Sequence, residues 1–163
     1  MKEKEPDNLE PLGRRIARLR SERGWTQQAL AYRLAASRVA ISHIELELST
    51  PSERTIMLLA GLFKLNPAEL VDGTTYPQAR AERLPAVALC YTELEAGLML
   101  LENDLDWLER LRDRPGWERW QAELGRRWRR WLDAHAELAD DEIERREMAE
   151  LRRRINRLLQ PPG

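Results

Sequence analysis

Cysteine is nearly absent. Cys90 stands alone among 163 residues, which excludes an internal disulfide framework and suits a reducing compartment. Histidine is almost as scarce: His43 and His135 are far apart, so neither a metal-ligand spacing nor a Ser–His–Asp pairing can be assembled around them. No glycine-rich phosphate loop interrupts the chain, and no apolar run approaches the length that spans a membrane. The opening residues, MKEKEPDN, are charged and lack the apolar centre of a secretion signal. Phe, Tyr and β-branched residues are few, while Leu, Ala, Arg and Glu abound, so helix is expected nearly throughout. A soluble, cytoplasmic, all-α protein follows, with no cofactor, no metal and no membrane partner. The acids Asp104, Asp106, Glu109 and Glu144 read as solvated helix faces rather than as an acid–base pair, and no catalytic residue is assigned.

What is present is charge of both signs. Charged residues make up 34% of the chain and hydrophobic residues 42%, enough for a core wrapped in charge-laced helices. The formal net charge of −1 is not that of a protein that coats nucleic acid by charge alone, but its distribution is uneven. Residues 9–64 carry nine Lys/Arg against five Asp/Glu, whereas residues 76–163 carry sixteen against eighteen. Arginine outnumbers lysine 24 to 3.

The most organised stretch is Thr26 to Glu45, TQQALAYRLAASRVAISHIE. Ala29, Leu30 and Leu34 share one face at helical spacing, and Ile41 and Ile44 share another, with Ala35-Ala36 between them. Thr26 and Ser37 each stand where a hydroxyl caps a helix start, and Trp25 with Leu30 is placed as a hydrophobic staple. The pattern predicts helix, tight turn, helix. It leaves Arg38, Val39, Ser42 and His43 on the outer side of the second helix. Upstream, Leu12, Ile16 and Leu19 form the stripe of a first helix closed by Gly24. Downstream, Ser52 caps a helix that turns Ile56, Leu59, Ala60 and Phe63 inward, and Asn66-Pro67-Ala68-Glu69 is a capping box opening a short fifth helix.

These residues carry a resemblance. Arg20…Gly24-Trp25-Thr26-Gln27, Leu30-Ala31, Ser37…Ile41-Ser42…Ile44-Glu45, Pro51-Ser52, Thr55 and Leu59-Ala60…Leu65-Asn66…Glu69-Leu70 are similar, in order and spacing, to the helix-turn-helix domain of phage repressor and Cro (XRE-like) regulators over residues 12–71. The resemblance implies a five-helix repressor-like domain that binds operator DNA as a transcriptional regulator, more often a repressor. It implies base contacts at Arg38, Val39 and His43, a phosphate contact at Gln27, and a salt bridge between Arg20 and Glu45. Gln28, Ser37 and Ser42 complete the expected DNA-binding set, since a helix in the major groove reads base edges from its exposed N-terminal end. Two departures stand out. Ala35 occupies the turn position usually held by glycine, and Leu46-Glu47-Leu48 replaces a basic-Gly-basic run that meets phosphate, so an acid is added and monomer affinity should be modest.

Domain limits are expected at 1–8 (disordered), 9–72 (helix-turn-helix), 73–85 (linker, from Gly73, Pro77 and Pro85) and 86–160 (helical dimerisation or partner-binding region). Within the last, Val87, Tyr91, Leu94, Leu98, Leu101, Leu105 and Leu108 form a heptad seam. It suits the core of a three-helix bundle or, as preferred here, a homodimer coiled coil, because such regulators read paired half-sites. After Pro115-Gly116 a second helix aligns Trp117, Trp120, Leu124, Trp128, Trp131, His135 and Leu138. A third, opening near Asp140-Asp141, turns Ile143, Met148, Leu151, Ile155 and Leu158 inward. The arginines interleaved with Trp128 and Trp131 read as the solvated flank of a core stripe. The alternative function is a protein-interaction module, antitoxin-like or regulatory, whose partner docks on Leu46, Leu48 and the Trp-rich helices.

Overall fold

The computed structural model describes residues 9–159. The expectation for residues 1–8 falls outside them. Every element among the described residues is helical apart from one isolated bridge, and the chain divides into two compact units between Cys90 and Tyr91.

The first unit contains α1 (Leu12–Glu22), α2 (Gln27–Arg33), α3 (Arg38–Glu45), α4 (Glu53–Phe63), α5 (Pro67–Val71) and a single turn, α6 (Gln78–Ala81). The starts of α2 to α5 are capped as the sequence predicts. Thr26, Ser37 and Ser52 accept hydrogen bonds from the backbone N–H groups of Ala29, Ala40 and Thr55. Asn66 and Glu69 form a reciprocal capping box. Gly24 adopts φ 71° just after α1, the left-handed position that glycine takes at no steric cost. Ile16, Leu30, Ile41, Ile56, Leu59, Phe63 and Leu70 make one core, against which Trp25 packs and stacks on Phe63 at 6.3 Å.

Residues 73–85 are not a linker. Gly73 turns the chain back so that its carbonyl accepts from the Glu10 N–H at 3.1 Å, while the Thr75 N–H donates to the Glu10 carbonyl at 3.0 Å. Thr74 and Tyr76 are buried, and Ala81 and Leu84 pack on the same core. Gly and Pro break helical periodicity here without releasing the chain from the unit.

The second unit holds α7 (Glu93–Arg110), α8 (Trp117–Ala134), a 3₁₀ turn (Ala136–Leu138) and α9 (Glu142–Leu158). Its core corrects the seam. Leu94, Leu98, Leu101, Leu105 and Leu108 are at most 2% exposed, the first four of them packed with Trp128, Leu132, Leu151 and Ile155 of the same chain. Five of the seven seam residues are therefore spent inside the chain. Val87 and Tyr91 precede the helix, which starts at Glu93 behind its Thr92 cap, and Tyr91 is exposed. In α8, Trp117, Leu124, Trp128 and Trp131 of the expected stripe pack on this core together with Gly125 and Leu132, whereas Trp120 and, beyond the helix, Leu138 are exposed. In α9 Ile143 faces out, because Glu144 turns back to accept from the N–H groups of Asp140 (2.7 Å) and Asp141 (3.3 Å) and occupies the buried side instead. Arg154 ties α9 to α7 through Asp106 at 2.6 Å and Glu109 at 3.3 Å.

Candidate nucleic-acid interface

The geometry around α3 starts with two anchors. Ile41 and Ile44 are buried against the first core, and helical spacing then turns the residues between and before them outward. Ser37, Arg38, Val39 and His43 are exposed, and Ser42 is half-buried. Val39 is 61% exposed, a β-branched apolar residue that no core requirement explains. The Ser37 hydroxyl is also the cap of α3, accepting from the Ala40 N–H at 3.1 Å.

The helix is held by a charged clamp. Arg20 of α1 meets Glu45 through two parallel bonds, Nε to Oε1 at 2.6 Å and Nη2 to Oε2 at 3.1 Å. The Arg20 Nη1 also donates to the Trp25 carbonyl at 2.7 Å, and the Gln27 side-chain amide donates to Glu45 Oε2 at 2.9 Å. Glu45 thus joins α1, α2 and α3 with only 7% of its side chain exposed. A forked guanidinium–carboxylate pair fixes orientation as well as distance, so α3 is fixed in both tilt and rotation. Gln27, expected at phosphate, spends one amide proton inside this clamp. Gln28 is exposed at the start of α2.

A family model described as a helix-turn-helix domain matches residues 13–75. This stretch is a helix-turn-helix domain. The match ends before the second unit, and a comparison with curated proteins finds no counterpart for the chain.

Three of the domain's turns are built without glycine, one of them at Lys64, φ 58°, after α4. Ala35 takes φ 50° between α2 and α3, the strained backbone that the missing glycine demands. Glu47 takes φ 59° after α3, in the middle of the run that replaces basic-Gly-basic. Its carboxylate is not a free acid beside α3, as the sequence suggests. Oε1 accepts from the Gly13 N–H, and Oε2 accepts from the Thr75 hydroxyl at 2.7 Å. The same hydroxyl accepts from the Leu12 N–H at 3.0 Å. Pro11 supplies no cap to α1, so Glu47 and Thr75 satisfy its first two N–H groups from a distance. Gly13 makes the contact possible: a Cβ there would overlap the carbonyls of Ile44 and Glu45.

Tyr32 is a residue that sequence reasoning missed. It is 83% exposed, four residues after Gln28 on the same face of α2. The available signal was a large aromatic outside the Ala29–Leu30–Leu34 stripe. Leu46 and Leu48 are 64% and 69% exposed, flanking Glu47. Among the described residues no group of His, Cys, Asp or Glu is arranged to hold a metal ion, and no helix is long and apolar enough to cross a membrane.

Proposed function

We propose that the protein is a sequence-specific DNA-binding regulator of transcription, acting in the cytoplasm as a homodimeric repressor and without enzymatic activity. One observation carries this reading. A helix of the helix-turn-helix domain is clamped by Arg20, Gln27 and Glu45 and displays Arg38, Val39 and His43 at its free face. Those groups suit a major groove. Arg38 can fork to a guanine, Val39 can touch a thymine methyl, and His43 and Ser42 can hydrogen-bond bases or phosphates. Dimerisation is proposed from half-site reading alone, through a surface other than the spent seam.

Selection from random DNA tests the reading. Wild type should return a motif of two half-sites about one turn, roughly 34 Å, apart or a multiple of it. Arg38→Ala should lose preference at one base per half-site, an effect of ~1–3 kcal/mol in discrimination. The same motif for both proteins would remove Arg38 from the interface. Sedimentation that finds only monomer at tens of micromolar, about the range of a modest interface, would remove the dimer. A second reading, a protein-docking module, is favoured by the exposure of Leu46 and Leu48 next to α3. No motif from wild type would favour it.

A further inference from the structure

Between α7 and α8 the second unit holds an open groove of about 580 Å³. One wall is apolar and comes from Ala96, Gly97 and Leu100; the other carries Trp131 with Arg127 and Arg130. Gly97 sets its depth, since a Cβ there would overlap the Trp131 ring. That ring is fixed by two neighbours. It stacks on His135 at 4.2 Å between centroids and 21° between planes, and meets Trp128 edge-on at 5.5 Å. The Trp128 indole N–H is itself held by Asp104 at 2.7 Å, and His135 Nδ1 lies 2.9 Å from the Trp131 carbonyl. The aromatic wall is preformed, so a ligand would not have to order it.

The charge on this groove is one-sided. All six arginines of α9, from Arg145 to Arg157, lie within 4.0 Å of a carboxylate. Arg127 and Arg130 do not: among the described residues Arg127 lies only over the Trp128 ring at 5.7 Å, and Arg130 meets no acid. The one acid on the lining, Glu93, sits beside His135 Nε2 at 3.8 Å, about two helical turns along α8 from Arg127. The volume falls within the roughly 300–1,000 Å³ of small-molecule sites, which combine an apolar lining with a few polar groups. An unpaired cationic rim beside a flat apolar wall complements one chemistry, a flat apolar body ending in an anion.

We infer that this groove binds a small aromatic carboxylate, its ring system against Trp131 and Leu100 and its carboxylate on Arg127 and Arg130. The inference rests on the second unit alone and does not depend on DNA binding. The probes are 2-naphthoate and its neutral isostere 2-naphthamide, titrated into the full chain while the indole N–H resonances are followed. Naphthoate should shift the Trp131 and Trp128 signals with a Kd below about 1 mM, a weak-ligand threshold. It should bind at least threefold more tightly than the amide at low salt, the order of advantage that exposed ion pairs give. In Arg127→Ala/Arg130→Ala, with helical circular dichroism unchanged, acid and amide should become equal. Leu100→Ala should weaken both alike. Equal binding of acid and amide by wild type, shifts confined to other tryptophans, or no binding at all would each overturn the assignment.

Discussion

Glu47 and Ala35 show what left-handed backbone costs a residue with a Cβ and how that cost is offset. Both sit at positive φ, 59° and 50°, a conformation that costs an L-residue roughly 1–2 kcal/mol. Glu47 is compensated by its bonds to the Gly13 N–H and the Thr75 hydroxyl; no side-chain hydrogen bond compensates Ala35. Ala35→Gly should therefore stabilise the first unit, by about 0.5–1 kcal/mol after the added entropy of the unfolded chain. Glu47→Ala keeps the strain and loses both bonds, whereas Glu47→Gly loses the bonds and sheds the strain. Urea unfolding should rank wild type above Glu47→Gly and Glu47→Gly above Glu47→Ala. Glu47→Ala at or above Glu47→Gly would show that the left-handed backbone carries no strain there, and Glu47→Gly at or above wild type that the carboxylate contacts carry no weight.

Between elements, the best-defined tie is the clamp on α3. Removing Arg20 strands the Glu45 carboxylate in a site where only 7% of it meets water, and removing Glu45 strands Arg20. Each single alanine variant should cost more than half of the double, with a coupling energy on the order of 1–3 kcal/mol in a double-mutant cycle. Additive single effects would mean that packing, rather than the ion pair, holds α3. The α7 leucines make a contrasting case. Leu98 is fully buried inside its own three-helix unit, so Leu98→Ala should lower the stability of that unit by ~2–5 kcal/mol. Its sedimentation behaviour should match wild type under native conditions. A change in association state with unaltered stability would return the seam to the intermolecular role.

For the molecule as a whole, pH acts through the acids gathered on α7 and α9. Burial pushes the Glu147 carboxyl above its ordinary range, reinforced by Glu102, Glu144, Glu95 and Asp141. A carboxyl raised on folding favours the folded state most when protonated. Its contribution is present below the unfolded value near 4.5 and is lost as pH rises through the higher folded value. Glu147→Gln, neutral at every pH, should raise the Tm of the second unit at pH 7. The gain should shrink as pH falls to about 4, where wild type also becomes neutral. A gain of equal size at both pH values would trace it to packing instead.

The local signals in the sequence were those that need only a few neighbouring residues. Hydroxyl and amide caps at Thr26, Ser37, Ser52 and Asn66, the left-handed Gly24, and the Ile41–Ile44 anchor that turns Arg38, Val39 and His43 outward are all set by chain positions within a turn or two. The all-helical character and the helix-turn-helix domain were legible for the same reason. What required the tertiary structure is everything that depends on a distant partner. The heptad spacing of Leu94 to Leu108 is identical for a helix facing its own chain and one facing a second copy; only the packing of α8 and α9 decides it. Most of the α8 stripe is legible in the spacing of Trp117, Leu124, Trp128 and Trp131, whereas the exposure of Trp120 and the burial of Gly125 and Leu132 depend on where α7 and α9 pack. Glu47 looked like a stray acid because the groups that use it, the Gly13 N–H and the Thr75 hydroxyl, are 34 and 28 residues away. Periodicity fixes which side chains share a face, and chain folding alone fixes what that face meets.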